Sequence, residues 1–161
     1  MTAFVGALVL AAGYSRRFGG QKLTAKIDSK KSTTIYEETI KQLTNAHPEI
    51  SEIIAVIQNG ISRKLPSTTA TTIEYLSDEI GMGESIAFGI QYISSWDGCL
   101  ICLADMPFVK PETYKAIASR VTATNIVVPK FNGIVGNPIA FGKTHFQILK
   151  ELKGDEGARK V

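Results

Sequence analysis

FVGALVL at residues 4–10 runs straight into AAGYSRRFGGQKL at residues 11–23. The first stretch is almost continuously apolar and shows no alternation, the pattern of a strand covered on both faces in the middle of a parallel sheet. The second is small and then basic. Ala11, Ala12 and Gly13 let a ligand approach the backbone closely, while Arg16, Arg17 and Lys22 bring positive charge to the end of that strand. Working outward, further apolar β-rich runs at 53–57, 72–76, 98–104, 125–128 and 138–141 alternate with amphipathic segments. A helix is expected from Thr34, where T-I-Y-E sets Glu37 three residues after a Thr, and it ends before Pro48. Others are expected at 84–94, from Pro111 to about 121, and at 144–152, with a short basic turn at Arg63 and Lys64. This series predicts a Rossmann-like three-layer α/β sandwich with a mostly parallel central sheet and right-handed crossovers.

The chain has 161 residues, 44% hydrophobic and 20% charged. That corresponds to about one domain at roughly 150 residues each, so 1–161 is read as a single domain needing no metal or disulfide staple. Lys and Arg number 18 against 15 Asp and Glu, a net +3 that is too weak to predict nucleic-acid binding. The charge is unevenly placed. Residues 1–31 hold six basic residues and one acid, so this part carries +5 and the remainder −2, and an anion is expected there. No basic residue precedes the apolar run at 3–12, which is too short to span a bilayer, so no membrane association and a cytoplasmic location are expected. Cys99 and Cys102 form C-L-I-C, but on a strand positions i and i+3 face opposite ways, so core packing is expected rather than a redox or zinc pair. Trp96 is likewise expected to pack, and His47 and His145 offer no metal-ligand spacing.

In an open α/β sheet, ligands bind outside the carboxyl ends of the strands, so residues following the first, third and fourth strands should converge. Two phosphate loops are excluded at the first of these. Gly13 and Gly19 stand one residue too far apart for G-x-x-x-x-G-K-[ST], and Leu23 replaces the hydroxyl after Lys22. Tyr14-Ser15 after Gly13 likewise breaks G-x-G-x-x-G, which removes the main support for hydride transfer. Asp105 ends the fourth strand beside Pro107, where a carboxylate suits Mg²⁺, a cation that takes one or two protein carboxylates and leaves the rest of its shell to phosphate and water.

With these residues assembled, the chain resembles the nucleotidyltransferases of the molybdenum-cofactor type. The resemblance lies in Leu10-Ala11-Ala12-Gly13-x-Ser15-x-Arg17-x-Gly19 with Lys22, then Gly81-Met82-Gly83-x-Ser85, Leu103-x-Asp105-Met106-Pro107, Gly136-Asn137-Pro138 and Gly154-Asp155-x-Gly157-Ala158-Arg159. The first motif is shared with sugar-phosphate nucleotidyltransferases; the ordered set is more specific. Its L-A-A-G and G-D-x-G-A-R forms resemble the cytidylyltransferase branch. The resemblance implies transfer of CMP from CTP to the terminal phosphate of molybdopterin, with release of pyrophosphate and Mg²⁺ as cofactor. It implies that the backbone of Leu10, Ala11, Ala12 and Gly13 approaches the nucleotide. Arg17 and Lys22 would hold its phosphates, with Arg16 as a further cation. Gly81, Met82, Gly83 and Ser85 would line the base and ribose pocket, and Asp105 would bind the metal. Asn137 stands where the pattern has His and supplies a hydrogen-bonding amide, while Asp155 and Arg159 would lie near the second substrate or the metal. A molybdoenzyme that receives the product is the further partner implied.

Members of the family usually continue beyond G-D-x-G-A-R, so the chain is read as shortened at its C-terminus. Three alternatives stand beside the cytidylyl reading: guanylyl transfer to molybdopterin, nucleotidyl transfer to a sugar phosphate, and a nucleotide-binding module without catalysis.

Overall fold

The computed structural model describes residues 3–12, 22–30, 32–60, 65–77 and 81–161. Gly13, Arg16, Arg17 and the expected turn at Arg63 and Lys64 lie outside the described residues. A six-stranded sheet has the order β3-β2-β1-β4-β8-β5, with β1 Val5–Leu10, β2 Ile53–Gln58, β3 Thr71–Tyr75, β4 Gly98–Leu103, β5 Ile126–Val127 and β8 Ile139–Gly142. The first four strands run parallel, with Leu8 opposite Ile54 on one side and Ile101 on the other, so β1 is central as its unbroken apolar run requires. β8 is antiparallel to both β4 and β5. The chain is a mostly parallel, Rossmann-like α/β domain.

Helices cover both faces. Against one face, Val5, Ala7, Val9, Ala55 and Leu100 pack with Tyr36, Ile40 and Leu43 of α1 (Ile35–Thr44) and Tyr114 and Ile117 of α3 (Pro111–Ala118). Against the other, Leu8, Leu10, Val56, Ile101 and Phe141 pack with Ile86 and Ile90 of α2 (Met82–Ile90) and Leu149 of α4 (Phe146–Leu149). Alternate residues of a strand thus feed two separate cores, giving three layers. Cys99 and Cys102 fall on opposite sides of the sheet, both buried, as their spacing predicts. Among the described residues, no helix is long and apolar enough to cross a membrane.

The reciprocal cap expected at Thr34 is present. The Glu37 N–H donates to Thr34 Oγ1 at 3.2 Å and the Thr34 N–H to Glu37 Oε2 at 2.7 Å. Other boundaries differ from expectation. α2 begins at Met82 rather than 84 and stops at Ile90, after which Tyr92, Ile93 and Trp96 donate N–H groups three residues back, in tightened turns. Those turns set Trp96 over Gly6, where a Cβ would lie 2.3 Å from the indole, and the Trp96 Nε1–H donates to Glu52 at 3.0 Å. The segment expected as a helix at 144–152 is a 3-10 turn, Lys143–His145, followed by the single turn of α4. A hairpin not expected from the sequence, β6 Lys130–Phe131 and β7 Ile134–Val135, turns at Asn132 and Gly133, both with positive φ. Strands of two residues leave no periodicity to read.

Candidate active site

The carboxyl ends of β1 and β4 lie side by side, and the Ala104 N–H donates to the Leu10 carbonyl at 3.2 Å. This brings the loop after β1 to the residue that follows β4. Lys22 Nζ lies 2.7 Å from Asp105 Oδ2, across 83 residues of sequence, and the Asp105 side chain is only 11% exposed. Ala11 and Ala12 are buried, one in each core, so their methyl groups face inward, and the Ala11 N–H donates to the Val56 carbonyl at 2.9 Å.

The turn ahead of α2 meets the C-terminal segment backbone to backbone. The Gly83 N–H donates to the Gly154 carbonyl at 2.8 Å, and a Cβ on Gly81 would stand 2.1 Å from that same oxygen. On Gly83 it would stand 2.7 Å from the Lys153 carbonyl. Gly154 has φ +55°, in the left-handed region that favours glycine. Glu84 takes the Gly81 N–H at 3.1 Å and the Gly154 N–H at 2.6 Å. Several amides near the start of α2 are therefore already satisfied within the protein. Ser85 is buried and donates its hydroxyl to the Gly81 carbonyl at 3.0 Å.

A cleft of about 480 Å³ opens beside this junction, on the α2 face of the sheet at the carboxyl end of β4. Met82, Ile101, Leu103 and Ile139 line its apolar part, with Asn137, Glu156, Gly157, Ala158, Arg159 and Lys160 completing the lining. Arg159 is held by donation from Nη2 to the Val135 carbonyl at 3.0 Å, which ties the β6–β7 hairpin to the cleft. Lys160 pairs with Glu156, and this bond, with one from the Lys153 N–H, holds the Glu156 carboxyl below its ordinary range. Asp155 is exposed and lies outside the lining.

The structure thus brings Lys22 and Asp105 together and puts Met82, Asn137 and Arg159 in one cleft. Sequence reasoning missed Glu84, although G-x-x-E at 81–84 has capping-box spacing, and it missed Glu156 and Lys160 in the same cleft. Among the described residues, no group of three or more His, Cys, Asp or Glu could hold a metal. A metal cage built from protein alone does not fit. One carboxylate at a strand end does fit a hard cation that completes its shell with phosphate and water.

The chain is 30% identical over 159 residues to the purine catabolism protein PucB of Bacillus subtilis, covering 94% of this chain and 77% of that one. It is 28% identical over 147 residues to a probable molybdenum cofactor guanylyltransferase of Thermococcus sibiricus, covering 89% and 71%. Among solved structures, Rv0371c of Mycobacterium tuberculosis superposes with a TM-score of 0.82 at 26% identity, covering 99% of this chain and 82% of that one. The same protein has also been solved as a manganese complex, with a TM-score of 0.81. Residues 7–161 match the MobA-like NTP transferase domain, and the chain belongs to that family of nucleotidyltransferases.

Proposed function

We propose that the protein transfers CMP from CTP to the terminal phosphate of molybdopterin, releasing pyrophosphate, with Mg²⁺ as the divalent cation. The observation that carries this reading is the meeting of Lys22 and Asp105 at 2.7 Å just past the carboxyl end of β4, the strand whose Ile101 and Leu103 line the cleft. A phosphate monoester has its second pKa near about 6 and is mostly dianionic at neutral pH, so it attacks without a general base. Its oxygen forms the new bond to the α-phosphorus of CTP, and the bond from that phosphorus to the bridging oxygen of the β-phosphate breaks. The protein's task is to bring two polyanions together and offset the charge that develops on pyrophosphate. Lys22 contacts phosphate, joined by Arg17 and Arg16 from the same loop, while the backbone of Leu10, Ala11, Ala12 and Gly13 lies against the nucleotide. The turn at Gly81 and Met82 forms the base and ribose side where it borders the cleft, while Gly83 and Ser85, both buried, shape that turn from behind rather than touching the nucleotide. Asp105 holds Mg²⁺, which when bound neutralises phosphate charge. The manganese complex of Rv0371c supports a divalent cation in this fold.

The cleft receives the acceptor. Ile101, Leu103 and Ile139 offer an apolar wall that suits the face of a flat heterocycle. Arg159 and Asn137 face the acceptor's polar groups, and Asp155 stands at the edge. GTP in place of CTP is the second reading, favoured by the guanylyltransferase relative. A molybdoenzyme receives the product. Pyrophosphate release with molybdopterin and Mg²⁺, run in parallel with CTP, GTP and UTP, tests the reading. CTP-selective release that falls about a hundredfold or more in Asp105→Asn is expected, the scale typical of losing an electrostatic stabiliser. Nucleotide binding without release from any of the three would replace it with a binding module.

A further inference from the structure

Glu84 does more than cap a helix. It is the third residue of α2, and a capping acid there needs only the N–H of the residue ahead of the helix. Glu84 Oε2 takes that bond, from Gly81 at 3.1 Å. Its second oxygen, Oε1, takes the Gly154 N–H at 2.6 Å, across 70 residues of sequence. The Gly83 N–H donates to the Gly154 carbonyl at 2.8 Å, so both polar groups of the Gly154 backbone are held by the start of α2. The two segments touch with no room between them, because a Cβ on Gly81 would overlap the Gly154 carbonyl at 2.1 Å. Beyond the junction, Met82 and Gly157 face each other within the cleft, Met82 Sδ being 3.4 Å from where a Cβ on Gly157 would stand. Only a carboxylate offers two acceptor oxygens to N–H groups arriving from two segments, since an amide would set an NH₂ against one of them.

We propose that Glu84 is a positioning residue, coupling nucleotide contact at the Gly81–Gly83 turn to the wall of the acceptor cleft at 153–158. The proposal rests on the nucleotidyltransferase reading of the site. A nucleotide lying against the turn orders Gly81 and Gly83, and the Glu84 carboxylate passes that order to Gly154. The cleft therefore takes its final width with the nucleotide in place, and the acceptor binds best second.

Hydrogen–deuterium exchange of the full chain, with and without CTP and Mg²⁺ and with GTP in parallel, tests this together with steady-state kinetics. In the wild-type protein, nucleotide should slow exchange at both 81–85 and 153–158. Glu84→Gln should keep nucleotide affinity within about threefold and keep the slowing at 81–85, yet lose it at 153–158. In the same variant the acceptor KM should rise by at least about tenfold with the nucleotide KM little changed, as expected when a positioned partner is displaced. Glu84→Asp, one methylene shorter, keeps an acceptor for the Gly81 amide but loses reach to Gly154, and should give the same split should Glu84→Gln be unstable. Undiminished slowing at 153–158 in both variants, or a lowered melting temperature with both KM values unchanged, would reduce Glu84 to a helix cap. Wild-type protein whose exchange responds to neither nucleotide would overturn the coupling and the nucleotidyltransferase reading together. Coupling that is present and lost in the variants, without pyrophosphate release from molybdopterin, would uphold the coupling and reject only the acceptor.

Discussion

Lys22 and Asp105 form an ion pair at 2.7 Å, so a cation held by Asp105, as proposed above, would have to share that carboxylate with the Lys22 ammonium. Under the proposed function, metal and lysine would compete for one carboxylate until a triphosphate offered the lysine other oxygens. Lys22→Met should raise Mg²⁺ or Mn²⁺ affinity without nucleotide by about fivefold, the factor for roughly 1 kcal/mol of a partly exposed ion pair. The same substitution should weaken nucleotide binding, so titration calorimetry should find the two effects opposite in sign. Unchanged metal affinity would mean that the metal does not use Asp105. Cys99 and Cys102 carry no such chemistry, because burial pushes both thiols up and keeps them protonated.

Elements owe their close packing to glycines whose neighbours differ in kind. On α2, a Cβ at Gly89 would meet Leu8 Cδ1 and Cδ2 at 2.7 Å, which are ends of a flexible side chain. In β8, a Cβ at Gly142 would meet the Thr122 carbonyl at 2.1 Å and Ala123 backbone at 2.4 Å, which cannot turn aside. Gly142→Ala should therefore destabilise by about 1–3 kcal/mol or more, the range for forcing extra volume into a packed site. Gly89→Ala should cost less, because a helix gains about 1 kcal/mol from replacing Gly with Ala. Thermal melts of the two variants check the order, and a larger drop for Gly89→Ala would contradict it. Helix ends show the same dependence on surroundings. α1 starts where Thr34 and Glu37 dictate, since the cap is local, whereas α2 gives way to tightened turns so that Ile93 and Trp96 reach the core.

Across the whole molecule, the edge opposite the candidate site is tied by Asp97. Its carboxylate accepts the Phe4 N–H at 2.9 Å and Lys143 Nζ at 3.2 Å, joining the chain ahead of β1, the residue before β4 and the residue after β8. The Phe4 N–H bond, and then Lys143, hold the Asp97 carboxyl below its ordinary value. A group with a depressed folded-state pKa contributes stability that is present above its unfolded pKa and lost as pH falls through the folded one. Asp97→Asn should therefore lower the melting temperature at neutral pH, and the difference from wild type should begin to narrow near about pH 4 and close as pH falls through the depressed folded-state value. A difference independent of pH would assign the loss to geometry rather than charge. Sequence by itself determined the order of the six sheet strands and the first three helices along the chain, the central strand, the cap at Thr34 and the opposed cysteines. Each of these follows from local periodicity or spacing, which operates over a few residues. It also supplied Lys22 and Asp105 as separate candidates. Only the tertiary structure decided that they meet, that β8 runs antiparallel beside β4, and that Glu84 joins a turn to a loop 70 residues away. Those contacts depend on how the layers close over the sheet, and chain order carries no record of that distance.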